Sequence, residues 1–206
     1  MIKIAITLDD VLRNKTSQFG KIYKKYINKD IDLSSIDTTT NDLCVSFGFK
    51  TKSEYNKFLY EDYAFEIFAE ASTVTPSLDK KLNLWHLSLN NHEEIDEELS
   101  LSLCNPMEFN ASIGFTHFFL SKMATRVRET FFPCQTAEIW DKCDILITAD
   151  PNLLKCVPQN KVCIKIEQDY NKNISGDNII SFSTLEEFIN DKDNLLTAIR
   201  HYQEIR

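Results

Sequence analysis

A chain of 206 residues can bury a sizeable core, as one domain or as a domain with a modest insertion. Its 43% hydrophobic and 26% charged residues are ordinary for a globular protein, and no apolar run is long enough to cross a bilayer. A net charge of −8 argues against a general nucleic-acid binder, and four glycines leave no Gly-rich phosphate loop. The start "MIKIAITLDD" has neither the long apolar stretch nor the cleavage site of a secretory signal. The expectation is a protein of the cytoplasm, or of a particle assembled there, that is not secreted and does not enter a membrane. The six cysteines (44, 104, 134, 143, 156 and 163) form no CxxC pair and no metal-knuckle spacing with histidines 86, 92, 117 and 201. They read as free thiols in a reducing compartment.

In chain order, Ile2–Leu8 is almost wholly apolar, which predicts a central parallel strand covered on both faces. Helical spacing follows from Asn14 to about Ile95. Phe19, Ile22, Tyr23, Tyr26 and Ile27 recur at three and four, with lysines of "KIYKKYINK" on the wet side. After the polar connector "DIDLSSIDTTTNDL", Tyr55, Phe58, Leu59, Tyr63, Phe65, Ile67 and Phe68 line one long helix or a broken pair. A third helical stretch carries Leu78, Leu82, Trp85 and Leu89, with Ser77 as the expected N-cap after Pro76.

Beyond the acidic "HEEIDEE", strands and helices alternate. "LSLSLCN", "VRETFFP", "DILITA", "KVCIKIE" and "NIISFS" read as strands, and "IGFTHFFLSKMA", "QTAEIWDK" and "DPNLLKCV" as helices. One helix or two close the chain, with Ser183 and Glu186 as a candidate capping box. The pattern predicts an α/β fold: a parallel Rossmann-like sheet with helices on both faces, residues 1–13 and 96–206 forming the core and 14–95 a helical cap inserted after strand 1.

The words at the strand ends resemble the haloacid-dehalogenase-like (HAD-like) superfamily, closest to its 5′-nucleotidase-like branch with a helical cap. In that family the first strand ends in Asp-x-Asp. Here "IAITLDDVL" places Thr7 at the nucleophile position and Asp9 at the general-acid position. The resemblance implies that the first carboxylate attacks phosphorus and also binds Mg²⁺; a threonine hydroxyl is neutral, and no base is evident to activate it. In the second motif "LSLCN" puts Cys104 where a Ser or Thr hydroxyl is usual. In the third, Gln135 beside Cys134 falls where a lysine belongs. In the fourth, "DILITADP" sets Thr148 and Ala149 under the two metal-binding acids, followed by Asp150. Asp9 and Asp150 are the residues that could still hold a metal, and an N-cap is the simpler reading of Asp150 before Pro151.

Loss of nucleophile and metal carboxylates together costs on the order of thousands-fold in rate or more. Thr7, Cys104, Gln135 and Ala149 therefore predict a catalytically inactive relative with no cofactor, acting as a binding or assembly protein. The alternative is a residual Mg²⁺-dependent phosphohydrolase on nucleotides or other small phosphomonoesters. Words such as "FFLSKMATRV" and "DILITADPNLL" also resemble HAD-like proteins encoded by tailed phages of gut bacteria, which implies a virion or neck component. Partners are then other proteins in a multi-subunit assembly. Two surfaces offer themselves for that: the cap aromatics (Tyr55, Phe58, Tyr60, Tyr63, Phe65, Phe68) and the last helix, "AIRHYQEIR".

Overall fold

The structure is a computed structural model that describes residues 1–89, 95–106, 110–135 and 137–206. Residues 90–94, His92 among them, lie outside the described residues. Six strands form one wholly parallel sheet: β1 (Ile2–Thr7), β2 (Leu99–Cys104), β3 (Glu129–Phe131), β4 (Ile145–Thr148), β5 (Val162–Ile166) and β6 (Ile179–Phe182). Their spatial order is β3-β2-β1-β4-β5-β6. Thr7 pairs with Cys104, and Ile6 with Ile147, so the ends of β1, β2 and β4 lie side by side. The expected α/β class is the observed one.

Alternation along the strands loads the two faces differently. Ile2, Ile4 and Ile6 join Leu101, Leu103, Ile147 and Ile164 under α5 (Asn110–Met123), α8 (Leu185–Asn190) and α9 (Lys192–Ile205). On the other face Ala5, Cys104, Leu146 and Cys163 meet Ile139, Trp140, Leu153 and Leu154. Those four belong to α6 (Ala137–Lys142) and α7 (Pro151–Leu154). The smaller strand side chains here suit the two short helices that cover them.

The helical stretch between β1 and β2, the expected cap, divides in two. Residues from α1 (Lys15–Tyr26), α2 (Leu43–Ser46), α3 (Lys52–Lys57) and the π-helical turns Phe58–Asp62 and Phe65–Ala69 make their own apolar cluster, centred on Phe19. In contrast Leu78, Leu82, Trp85 and Leu89 of α4 (Leu78–Ser88) and its end join the sheet cluster. The long helical pattern of 52–71 is thus broken, and its last helical neighbour belongs with the sheet. The two strands of chain entering and leaving the cap are paired: Asn14 N donates to Ser72 O at 2.9 Å and Val74 N to Leu12 O at 3.0 Å.

Two expected caps change. Ser77 has φ +63°, a left-handed backbone, and its side chain caps nothing. At α8 the cap is Thr184, whose Oγ1 accepts from Glu187 N at 3.1 Å, while Glu187 accepts from Ser183 N at 2.8 Å. The N-cap is therefore one residue later than Ser183, and Glu187 reaches back past it to the preceding residue. Glu186 instead accepts from Thr75 and Lys81 of the neighbouring segment, a tertiary contact that spacing alone does not show.

The aromatic stripe of the cap is turned inward. Tyr55, Phe58 and Phe68 are buried, Tyr60 and Tyr63 half-buried, and only Phe65 of that set is exposed. The last helix likewise buries Leu195, Leu196, Ile199 and Tyr202 against the core.

Candidate functional site

Between β1 and β4 the connections leave in opposite directions, and open α/β sheets bind ligands outside the carboxyl ends at such a point. A cleft of about 570 Å³ lies there, between the sheet ends and the cap. Thr7, Asp9, Asp10, Asn105 and Asp150 line it from the sheet, Lys15 and Thr16 from the start of α1, and Thr39–Leu43, Lys52, Tyr55 and Tyr60 from the cap. Lys155 and Tyr170, with Pro106, Cys134, Pro151 and Asn152, complete the wall.

The turn after β1 sends its two aspartates opposite ways. Leu12 N and Arg13 N both donate to Leu8 O, at 2.9 and 2.8 Å, which closes the turn and forces Asp10 to φ +57°. Asp tolerates that left-handed conformation better than most residues. Asp10 accepts from Thr16 N at 3.0 Å and Tyr170 Oη at 3.0 Å, as well as from the Thr16 hydroxyl. Burial pushes its carboxyl up, against those hydrogen bonds.

Asp9 points the other way, into cations. Its Oδ1 accepts from Arg13 Nε at 2.9 Å and from the other arm of that guanidinium; its Oδ2 lies 3.0 Å from Lys15 Nζ and accepts from Asn105 Nδ2 at 3.1 Å. Burial by itself pushes the Asp9 carboxyl up, but Arg13 and Lys15 outweigh it and hold the group well below the usual carboxylate range. Asp9 is thus a fixed anion, with no proton to give as a general acid near neutral pH. Arg13 is wholly buried; it also donates to Thr116 Oγ1 at 3.1 Å and Phe68 O at 3.4 Å, and lies 5.0 Å from the Phe68 ring centre. The same side chain touches the turn, the cap and α5.

The other positions singled out from the sequence separate. Thr7 is buried, and its hydroxyl donates to Thr148 Oγ1 at 3.0 Å; Thr148 Oγ1 in turn accepts from Asp150 N at 3.0 Å. Asp150 caps α7, accepting from Asn152 N at 2.8 Å, and burial raises its carboxyl. Ala149 packs into the cluster on the far face of the sheet, away from the cleft. Gln135 is exposed and is not among the cleft-lining residues. Cys104 is buried against Trp140 and its neighbours, and burial pushes its thiol well above the ordinary value, so it stays protonated. With Cys134 and Cys156 exposed and the other four buried, a disulfide-exchange reagent should titrate two thiols rapidly in the native protein and six in denaturant. More than two fast thiols would mean that the buried set is open to solvent.

The donor set does not suit Mg²⁺. A hard divalent ion asks for carboxylate oxygens with lone pairs free. Both oxygens of Asp9 are engaged by protein donors, an ammonium already stands 3.0 Å away, and the neighbouring strand end offers hydroxyls hydrogen-bonded to each other. Lys15 supplies the positive charge in that place; burial opposes its charged form, but Asp9 raises its pKa above the ordinary lysine value.

Arg13, Lys15, Lys52, Lys155 and Tyr170 did not emerge from the sequence as site residues. The signal for Arg13 was there: it lies four residues after Asp9 and closes an otherwise apolar run, "VLR". The lysines had no such mark.

No family model matches the chain, and no curated protein matches it. A solved structure of a haloacid dehalogenase-like family hydrolase from Xanthomonas campestris is similar over 97% of this chain and 98% of that one, at 11% identity and a TM-score of 0.43. On its own fold and site, this chain is an α/β protein with a wholly parallel, Rossmann-like sheet and a polar cleft at the carboxyl ends of the strands.

Proposed function

We propose that this is a non-catalytic protein of HAD-like fold whose cleft binds a small polar ligand without turning it over. The observation that carries the reading is the state of Asp9. In the alternative phosphohydrolase, that carboxyl must exchange a proton with substrate or help hold a metal. Here it is saturated by Arg13, Lys15 and Asn105, and its proton affinity is depressed. Thr7 adds to this, because its hydroxyl is engaged with Thr148 and no imidazole or carboxylate is hydrogen-bonded to it among the described residues.

The test is turnover. Purified protein with Mg²⁺ or Mn²⁺, offered an aryl phosphate and a panel of nucleotides, is expected to release no more phosphate than a heat-denatured control. Release that EDTA abolishes would overturn the reading in favour of the phosphohydrolase.

A further inference from the structure

The cap is fastened to the core unequally on its two sides. On the side of α5 the fastening is buried. The Arg13 guanidinium lies 5.0 and 5.5 Å from the Phe68 and Phe119 ring centres, and it donates to Phe68 O as well as to Thr116 of α5. Lys122, also of α5, donates to Ala69 O at 2.9 Å and to Ala71 O at 3.0 Å. Where the chain returns to the core, Thr73 forms an antiparallel bridge with Arg13. Phe68, Ala69 and Ala71 are all buried. Swinging the cap away as a body would strip a dry cation and the carbonyls of Phe68, Ala69 and Ala71 of their partners together. Such groups are costly to leave unpaired.

The opposite side is held lightly. Residues 36–42 join the 3₁₀ turn Leu33–Ser35 to α2 without regular structure. Short-range bonds shape the segment: Thr39 N donates to Asp37 Oδ1 at 2.9 Å and Asp42 N to Thr40 Oγ1 at 3.1 Å. Residues 39–42 line the cleft, and Thr38 beside them reaches across to the core, where its hydroxyl donates to Asp169 Oδ2 at 2.9 Å. Asp169 opens the turn Asp169–Asn171, whose Tyr170 lines the facing wall. Thr38 and Asp169 are both exposed, so breaking this bond returns each partner to water. The core turn is not free to follow the strap. Asn171 is fully buried and donates to Ala149 O at 2.9 Å and Ile166 O at 3.0 Å.

We infer that the cleft opens by release of residues 36–42 from Asp169, as a strap on a cap that stays pinned to α5. Of the two fastenings, the exposed hydrogen bond is the weaker and yields first. Passage past the strap would serve any ligand that reaches the strand ends, whether or not it is turned over there.

Distance distributions between two spin labels on the full chain test this. In a Cys134→Ser background, the exposed Cys156 of the core carries one label. The second goes on Asn41→Cys in the strap, or on Lys57→Cys, an exposed position of α3 in the pinned part. The strap pair should show a closed and a longer distance, and the α3 pair one narrow distance. Thr38→Val and Asp169→Ala should each raise the ratio of long to closed strap about fivefold, the scale of one hydrogen bond. Together they should raise it no further than either alone, and the α3 pair should not change. A broad or double distance for the α3 pair would overturn the inference in favour of a cap that swings as a body. A strap distribution that neither variant changes would overturn it as well, because Asp169 would then hold nothing shut.

Discussion

Asp9→Asn is expected to lower the unfolding free energy by about 3 kcal/mol, the lower part of the range for leaving one member of a buried ion pair alone. Arg13 would keep its charge with no exposure to water, whereas Asp9 is itself 21% exposed. The Phe68 and Phe119 rings beside the guanidinium offset part of the loss. For a chain of this length that is a fall of about 6–12 °C in melting temperature. The pH dependence has a definite sign. The folded-state pKa of Asp9 is held below its unfolded value, so the stabilisation is present in full above about pH 5 and is lost as pH falls below about 4. Native protein and variant should therefore differ by a constant amount near neutrality and converge in acid. Equal melting temperatures at pH 7 would show that the cluster contributes nothing. Replacing both partners, Asp9→Leu with Arg13→Met, should cost less than the sum of the two single changes, because no orphaned charge is left.

The second large effect falls in the cap. Phe19 is fully buried, with the rings of Phe47, Phe58 and Tyr55 centred 4.9, 5.2 and 5.8 Å from its own. Phe19→Ala removes the centre of that cluster and is expected to cost about 3–5 kcal/mol. Because the cap cluster is separate from the two that sandwich the sheet, the loss should be local. Hydrogen exchange should show residues 15–69 losing protection while β1, β4 and β5 keep theirs. A uniform loss along the chain would mean that cap and sheet unfold as one unit.

Much of the architecture is legible before any coordinate is known, because it depends on neighbours in sequence. An uninterrupted apolar run such as "IKIAIT" has one common explanation, a strand covered on both faces, and the same holds for "DILIT" and "KVCIKI". Strands separated by short helices impose a parallel sheet, and the helical stretch between β1 and β2 stands out from that alternation by its length. The chemistry absent at Thr7 is equally plain, since a hydroxyl is not a carboxylate in any fold.

What only the tertiary structure decided is where long-range partners meet. Helical periodicity marks which residues of α4 and of the cap turn inward, but the same stripe fits a cap and a sheet equally well; α4 went to the sheet. The spacing of Ser183 and Glu186 suited a capping box, yet Glu186 is held by Thr75 and Lys81 from more than a hundred residues away. Thr148 and Ala149 are neighbours at one strand end, but successive residues point to opposite faces, so of the two only Thr148 meets the Thr7 hydroxyl. Charge is the hardest property to place from a string of letters. Nothing local says that Arg13 is dry, that Lys15 faces Asp9, or that Lys52 and Lys155 share a cleft across a hundred residues of chain. Those facts follow from burial and from Coulomb attraction between segments that only folding brings together.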